Sequence, residues 1–287
     1  MDVGGSGIRA CLVDSGIVGE RQEVALSDRS VEGVIEVCER LISSLPAAPS
    51  VGVALPGFAA HGQIHSSPNF PTWLNVPFAS LLEERTGLQV HVENDASAAA
   101  WGAFISRGRK EDLVLLTLGT GVGGGIVNEG RLLRGRVGCG GELGHLYVGG
   151  DALCGCGATG CLEAWASTEG LKRIARSRGK ELSNGAELWA ICESGEEWAL
   201  ILASEAGRAL GRGLGSISNA LNPELVILSG GLSAGRPFLE PSLLVALDRH
   251  AIPPARQSLR LEWAGRAEDF SLTGIADLAA PCIPSVT

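Results

Sequence analysis

One histidine and three cysteines form the strongest candidate for chemistry in this sequence. The motif Gly141-Glu-Leu-Gly-His145 precedes a glycine-rich loop, and the four candidate metal ligands are His145, Cys154, Cys156 and Cys161. An imidazole and three thiolates match a closed tetrahedral zinc site, and the intervening glycines let the chain turn round the ion. A closed site has no position for water, so we expect a structural zinc that orders the loop carrying Glu142 and Glu163. The alternative interpretation is a tight loop with free cysteines.

Three glycine-rich turns are candidates for phosphate binding. They follow strand-like apolar runs and read Gly4-Gly-Ser-Gly7, Gly119-Thr-Gly-Val-Gly-Gly-Gly125 and Ser229-Gly-Gly231. Each alone could be a structural turn, because glycine is the usual residue of tight turns. Together they offer backbone N–H groups and hydroxyls that suit phosphate oxygens. None matches the dinucleotide fingerprint or the P-loop, so the sequence predicts a pair of facing β-hairpins as the phosphate-binding device.

Acidic residues adjoin these turns. Asp2 directly precedes the first turn, where a carboxylate can hold Mg²⁺ through water molecules or simply initiate the turn. Glu93-Asn94-Asp95 stands between a predicted strand and a predicted helix, so it could cap the helix or lie in an active-site crevice. In the second case, Asp95 could accept the proton of a substrate hydroxyl that attacks a phosphoryl group.

The elements that must position these residues alternate between short apolar runs and helical patterns, which is typical of an α/β protein. The predicted strands are residues 51–55, 89–92, 113–118, 125–127, 225–228 and 259–263. The predicted helices are residues 31–43, 76–86, 96–106, 168–177, 186–193, 198–221, 240–249 and 275–280. A strand–turn–strand unit occurs at 1–13 and again at 113–127, which indicates an internally duplicated architecture.

Composition and charge restrict the class of protein. The 287 residues include 41 Gly yet are 45% hydrophobic, which excludes a disordered low-complexity chain and favours a fold with many tight turns. A formal net charge of −9 argues against a nucleic-acid-binding surface. No run approaches eighteen apolar residues, and the N-terminus lacks a signal-peptide pattern. We therefore expect a soluble, cytoplasmic protein without nucleic-acid or membrane partners.

Taken together, these motifs resemble the ROK family of sugar kinases and sugar-responsive repressors. The resemblance spans nearly the whole chain, and its most specific part pairs Glu-x-Gly-His with Cys-x-Cys-Gly-x-x-Gly-Cys-x-Glu. It implies an α/β fold of the actin-like, hexokinase type, with two lobes that each contain a mixed β-sheet and flanking helices. It also implies a ligand cleft between a small lobe at 1–110, completed by a C-terminal helix at about 270–287, and a large lobe at 111–269.

The resemblance further implies which residues bind ligands. ATP with Mg²⁺ would contact Asp2, Gly4, Gly5, Ser6, Gly119, Thr120, Gly121, Gly230 and Gly231. The sugar would lie among Asn69, Asn94, Asp95, Glu142, His145 and Glu163. Asp95 would be the general base. His145 would place one ring nitrogen on zinc and the other near a sugar hydroxyl.

The activity that the resemblance implies is ATP-dependent phosphorylation of a hexose at its 6-hydroxyl, with glucose as the first candidate. N-acetylglucosamine, N-acetylmannosamine and fructose are the rival substrates. A non-catalytic sugar-sensing repressor is the other class, but those relatives carry a helix-turn-helix segment before the first glycine turn. The resemblance also suggests a homodimer, with the helical surface at 168–193 as a candidate contact.

Two positions depart from the family pattern. Only Met1 precedes Asp2, so the usual apolar first half of the first strand is missing, as a truncation or a misplaced start would explain. Ser6 stands where the family commonly has threonine, a change that keeps the hydroxyl. We expect the second departure to have little effect on phosphate binding.

Overall fold

The computed structural model describes residues 1–265 and 268–281. Its contacts separate the chain into two compact units. The first comprises Met1–Lys110, Arg131–Gly140 and 268–281, and the second comprises Glu111–Gly130 and 141–265. Residues 282–287, the last part of the helix predicted to complete the small lobe, lie outside the described residues.

The elements follow in chain order. The strands are β1 (Asp2–Val3), β2 (Gly7–Ala10), β3 (Val13–Asp14), β4 (Ile17–Val18), β5 (Gln22–Ala25), β6 (Ser50–Leu55), β7 (Phe58–Ala60), β8 (Gln63–Ser67), β9 (Phe70–Val76), β10 (Gln89–Asn94), β11 (Leu113–Leu118), β12 (Val122–Asn128), β13 (Arg131–Leu132), β14 (Leu225–Ser229) and β15 (Arg260–Trp263). The α-helices are α1 (Val31–Ser44), α2 (Phe78–Thr86), α3 (Asp95–Ser106), α4 (Leu162–Ala166), α5 (Thr168–Ser177), α6 (Gly185–Glu193), α7 (Glu197–Leu221), α8 (Arg236–His250), α9 (Pro253–Ser258) and α10 (Glu268–Ala279). Within the described residues, no helix combines the length and apolar character needed to cross a membrane.

The main sheet of the first unit is mixed. Its strand order is β10-β6-β1-β2-β5. Strands β1 and β10 run parallel to β6, whereas β2 is antiparallel to β1 and β5 is antiparallel to β2. The three parallel strands therefore end at the same edge, which is where this unit can place polar side chains next to one another.

Helices cover both faces of this sheet. In β6, Val53 and Leu55 belong to a core shared with α1 and α2, whereas Ala54 between them packs with α3 and α10. Helices α3 and α10 approach closely because Gly102 and Gly274 face each other's helix, where a Cβ on either would collide with a backbone carbonyl. The strand period of two thus sorts the helices into two layers.

A three-stranded antiparallel sheet in the first unit was not expected from the sequence. Its order is β7-β8-β9, and the turn between β8 and β9 carries Asn69. The rings of Phe70 and Trp73 stack with centroids 4.3 Å apart, and both side chains are buried. This sheet therefore has its own apolar support, which fixes the turn that holds Asn69.

The second unit repeats the topology of the first. Its sheet contains the order β12-β11-β14-β15, with β12 antiparallel to β11 and with β14 and β15 parallel to it. This is the arrangement of β2-β1-β6-β10, so the duplicated architecture expected from the sequence is confirmed. Helix α7 packs along α8 through Gly207, Gly211 and Gly215, where a Cβ would collide with the facing helix.

Three helices begin two or more residues away from their predicted starts. Helix α2 begins at Phe78 rather than at residue 76, because β9 extends to residue 76. Helix α8 begins at Arg236 rather than at residue 240, since a proline in the first turn is compatible with a helix start. Helix α10 begins at Glu268 rather than at residue 275.

Candidate functional site

Three parallel strands of the first unit bring acidic residues to one edge. In the register of the sheet, Asp2 of β1 and Glu93 of β10 both lie beside Ala54 of β6. Asn94 and Asp95 follow at the carboxyl end of β10. Ligands of open α/β sheets bind beyond the carboxyl ends of parallel strands. The expected magnesium ligand and the expected base therefore occupy an edge suited to function.

Asn94 and Asp95 form the junction between strand and helix. Asn94 is the N-cap of α3, and its side-chain oxygen accepts a hydrogen bond from the Ser97 N–H (2.9 Å). Its amide donates to the Gly57 carbonyl (3.1 Å). Asp95 is half-buried, and one carboxylate oxygen accepts from the Ala96 N–H (2.8 Å). Asn94 thus takes the capping role, which leaves Asp95 as a carboxylate at a helix N-terminus, where negative charge is favoured.

The first glycine turn lies against a residue expected to bind sugar. The Gly4 N–H donates to the Gly7 carbonyl (2.9 Å), which closes the turn between β1 and β2. A Cβ on Gly5 would lie 3.3 Å from the side-chain amide of Asn69. The Ser6 side chain is exposed beside it. The structure therefore brings Asn69 together with the expected phosphate turn inside one unit.

Arg9 is a charged neighbour that the sequence analysis missed. It lies directly opposite Asp2 in the β1–β2 ladder, and its Nη1 is 3.7 Å from Oδ2 of Asp2. Its Nε also lies 3.4 Å from Oε1 of Glu23. The sequence did contain a signal, because residues equally far from the centre of a hairpin turn face each other across the strands.

The second and third glycine turns share an edge of the other sheet. The carbonyl of Gly119 accepts a hydrogen bond from the Thr168 N–H (2.8 Å), and that of Thr120 accepts from the Glu169 N–H (3.3 Å). Because β11 and β14 are parallel, the second turn and Gly230 follow strand ends at the same edge. The start of α5 therefore holds the second turn beside the third.

A cavity of about 750 Å³ opens at this edge of the second unit. Four residues of the expected nucleotide site line it, namely Gly119, Thr120, Gly230 and Gly231. Other lining residues were missed from the sequence, namely Thr168, Asn184, Gly185, Ala186, Arg236 and Trp263. They lie at helix starts and at a strand end, which have no distinctive sequence signal. Gly121 does not line the cavity, and a Cβ there would instead lie 2.6 Å from the Glu163 carboxylate.

The histidine and the three cysteines meet in the second unit. One potential ligand atom from each of the four residues lies within 4.8 Å of the others. Nδ1 of His145 is 3.7 Å from Sγ of Cys154, and Sγ of Cys156 is 3.8 Å from Sγ of Cys161. A tetrahedral zinc with bonds of about 2.3 Å to sulfur and about 2.0 Å to nitrogen separates its ligands by roughly 3.5–3.8 Å. The donor set and its spacing therefore fit a four-coordinate zinc.

The loop that holds the cysteines has little apolar material of its own. Residues Leu153 and Thr159 form one antiparallel bridge, and Tyr147 and Cys161 form another. Burial raises the pKa of the Cys154 thiol to about 12, so this thiol is neutral unless a cation replaces its proton. A bound ion would therefore supply the loop with its main cross-link.

Glu142 and Glu163 adjoin this cluster, to which His145 belongs. Nε2 of His145 lies 3.8 Å from a Glu142 oxygen, while its Nδ1 faces the cysteines. Burial is the main cause that raises the pKa of Glu142, and the nearby Glu163 adds to it. Glu163 accepts a hydrogen bond from the Val122 N–H (3.0 Å) through Oε2 and one from the Cys154 thiol (3.5 Å) through Oε1. The second unit thus groups three of the residues expected to bind sugar, and the first unit holds Asn69, Asn94 and Asp95.

The repeated topology and the glycine turns define the class of this molecule. Each unit contains a mixed sheet with flanking helices and a glycine turn in its leading hairpin, which is the actin-like, hexokinase-type ATPase fold. The sequence profile of the ROK family matches residues 1–281. The chain belongs to the ROK family, and the resemblance noted in its motifs is confirmed.

Relatives of known name and solved structures agree with this assignment. The chain is 34% identical to a glucokinase from Thermotoga maritima in an alignment of 302 positions. The alignment covers 97% of this chain and 95% of the relative. An N-acetylmannosamine kinase from Salmonella agona is 30% identical, with 97% of each chain covered. A ROK hexokinase from Thermus thermophilus has a TM-score of 0.82 at 33% identity, covering 97% of this chain and 96% of that one. A ROK glucokinase from Streptomyces griseus in complex with glucose and AMPPNP has a TM-score of 0.77 at 29% identity, with 97% of each chain covered.

Proposed function

We propose that this protein is a sugar kinase that transfers the γ-phosphoryl group of ATP to the 6-hydroxyl of a hexose, with glucose as the preferred acceptor. The observation that carries the proposal is the edge of the first sheet. There Asp2, the first glycine turn and the pair Asn94–Asp95 lie at strand ends, and Asn69 rests on Gly5. The glucokinases among the relatives support the choice of glucose.

The two units would serve as the two lobes of the kinase. ATP would use the 750 Å³ cavity of the second unit for its adenosine, and the glycine turns would offer N–H groups to its phosphates. Asp2 would hold Mg²⁺ through water molecules. When bound, this ion would neutralise part of the negative charge of the phosphates.

Asp95 would act as the general base. Its carboxylate would take the proton of the 6-hydroxyl while the sugar oxygen forms a bond to the γ-phosphorus and the bond to ADP breaks. Asn94 would hold the strand end in place, because its side chain is bonded to the backbone on both sides. Glu142, His145, Glu163 and Asn69 would bind the other hydroxyls of the sugar. Positioning of this kind contributes to rate by fixing the reacting groups before attack.

The cysteine cluster would hold a structural Zn²⁺. His145 would bind it through Nδ1, which leaves Nε2 directed toward Glu142 and available to a sugar hydroxyl. The ion would fix His145 and Glu163 relative to each other, because Glu163 also contacts the Cys154 thiol. Its chemistry is confined to holding the loop, since four protein ligands leave no open position.

The direct test measures turnover with a panel of hexoses at a fixed ATP concentration, with the release of ADP as the readout. The panel contains glucose, N-acetylmannosamine, N-acetylglucosamine and fructose. We expect the highest kcat/KM with glucose and a product phosphorylated at oxygen 6. A higher kcat/KM with N-acetylmannosamine would favour the second candidate, which a relative of that name also supports. Absence of ADP release with every sugar would contradict a kinase function.

We also propose that the protein works in the cytoplasm as a homodimer, on the strength of the family resemblance. Light scattering coupled to gel filtration should give twice the mass of one chain. A mass of one chain at micromolar concentration would contradict the dimer and would leave the kinase proposal untouched.

A further inference from the structure

An ion pair between a buried carboxylate and a partly exposed guanidinium involves the strand end that precedes the proposed base. The Glu93 side chain is only 2% exposed, and its Oε2 accepts a hydrogen bond of 2.5 Å from Nε of Arg134. The ring of His91 is farther away, with Nε2 at 3.9 Å from the same oxygen, so Arg134 is the direct partner. A carboxylate buried this deeply needs a cation or several donors, because otherwise its lost hydration is uncompensated.

Glu93 is placed where its orientation affects the catalytic edge. It is the residue before Asn94, whose N–H donates to Oε1 of Glu93 at 3.1 Å. Asn94 in turn is tied to Gly57 and to the start of α3. The Glu93 carboxylate therefore links the Arg134 guanidinium to the backbone N–H of Asn94, the residue before Asp95.

Arg134 comes from a segment with an unusual position in the chain. Residues Arg131–Gly140 belong to the first unit, although the residues before and after them belong to the second. The segment closes on itself through the Gly140 N–H, which donates to the Arg134 carbonyl (2.7 Å). The segment also packs closely against β7 at Gly138, where a Cβ would collide with the backbone of Ala59. Gly138 has a φ of +77°, which likewise favours glycine. Glu142 follows this segment after a single residue.

We propose that the Arg134–Glu93 ion pair is a positioning device for the hexose. Arg134 holds the end of β10, and with it Asn94 and Asp95, to the segment that leads into Glu142. The pair does not touch the sugar, and it acts by fixing groups that would. This inference rests on the proposed sugar kinase function.

The test compares four variants with the wild type for hexose turnover, ATP KM and thermal stability. Arg134→Ala should lower kcat/KM for the hexose by about 10- to 100-fold, since small displacements of reacting groups have effects of this size. The KM for ATP should be unchanged. Arg134→Lys should recover part of the loss, because an ammonium group can still pair with Glu93. The control is Arg136→Ala, which removes the same charge from an exposed site in the same segment and should behave as the wild type.

A double variant separates positioning from stability. Glu93→Gln combined with Arg134→Ala leaves no uncompensated buried charge, so it should regain thermal stability relative to Arg134→Ala alone. It should not regain hexose kcat/KM, because the link between the two segments is still missing. Recovery of both quantities would show a merely structural role and would overturn the inference, as would wild-type kinetics in Arg134→Ala.

The proposed function can fail separately. If the wild type binds hexose without phosphorylating it, the kinase proposal is wrong, and calorimetric hexose affinities then decide the inference. Equal hexose affinities in the wild type and Arg134→Ala would overturn the inference. A weaker affinity in Arg134→Ala, with the wild-type affinity kept in the control Arg136→Ala, would support the inference. If the wild type binds no hexose, both proposals are wrong.

Discussion

At the scale of single residues, one carboxylate connects two parts of the candidate site. Glu163 accepts hydrogen bonds from the Val122 N–H, within the second glycine turn, and from the thiol of Cys154 in the cysteine cluster. Glycine at position 121 leaves room for this contact, because a Cβ there would lie 2.6 Å from a carboxylate oxygen of Glu163. A side chain that the family resemblance gives as a sugar ligand therefore also joins the second glycine turn to the cysteine loop.

Gly230 and Gly231 allow a matched comparison at the same scale. Gly230 has φ +99°, and a Cβ on it would meet the Leu118 carbonyl at 2.5 Å, whereas a Cβ on Gly231 has open space. We expect Gly230→Ala to lower the free energy of unfolding by about 1–3 kcal/mol or more, because this conformation is strained for any other residue. Gly231→Ala should change it by no more than about 0.5 kcal/mol. Thermal or urea denaturation measures both, and equal stabilities would contradict the assigned backbone geometry.

At the scale of elements, helices and strands were predicted best from the sequence where the hydrophobic residues recur at a regular period. Helix α1 begins at the predicted residue, since apolar side chains recur at three- and four-residue spacing after the Ser30 cap. The small sheet was missed for a physical reason. Strand β9 buries Phe70, Trp73 and Val76 at a spacing of three, so it lacks the alternation by which a strand is recognised.

The candidate site was predictable to a similar degree. Motifs with unusual residue types, such as the cysteine loop, could be identified because few structures other than a metal site need them. Arg134 could not, since nothing in the sequence links an arginine after β12 to a glutamate in β10. Asn184 and Trp263 were missed because their role comes from the cavity they share with Gly230. Long-range packing of this kind is absent from local sequence patterns.

The loop with the cysteine cluster provides the prediction at the scale of elements. Removal of the ion with a chelator should lower both the melting temperature and hexose turnover, because binding energy at such a site is folding energy. Three additional thiols should then react with a thiol reagent. Cys154→Ser should reproduce the loss, and the control Cys139→Ser, which lies outside the cluster, should retain the metal. Full stability and turnover in protein shown to be metal-free by elemental analysis would refute the assignment.

At the scale of the whole molecule, two copies of one topology present different residues at their strand edges. In the first unit, the shared strand edge holds Asp2, Asn94 and Asp95, which suit magnesium and a substrate hydroxyl. In the second unit, the corresponding edge opens into a cavity beside Gly119 and Gly230. In the proposed function, the edge of the first unit would bind the reacting hydroxyl and the edge of the second unit would bind the nucleotide, as phosphoryl transfer requires.

The central claim is that Asp95 is the base for phosphoryl transfer to a hexose. The most direct measurement is the rate of glucose-dependent ADP release by Asp95→Asn, with the wild type as reference and circular dichroism to confirm folding. Asparagine keeps the size of the side chain but cannot accept the proton, so we predict a loss of about 10²- to 10⁴-fold in kcat. A folded Asp95→Asn protein that releases ADP at the wild-type rate would contradict the account.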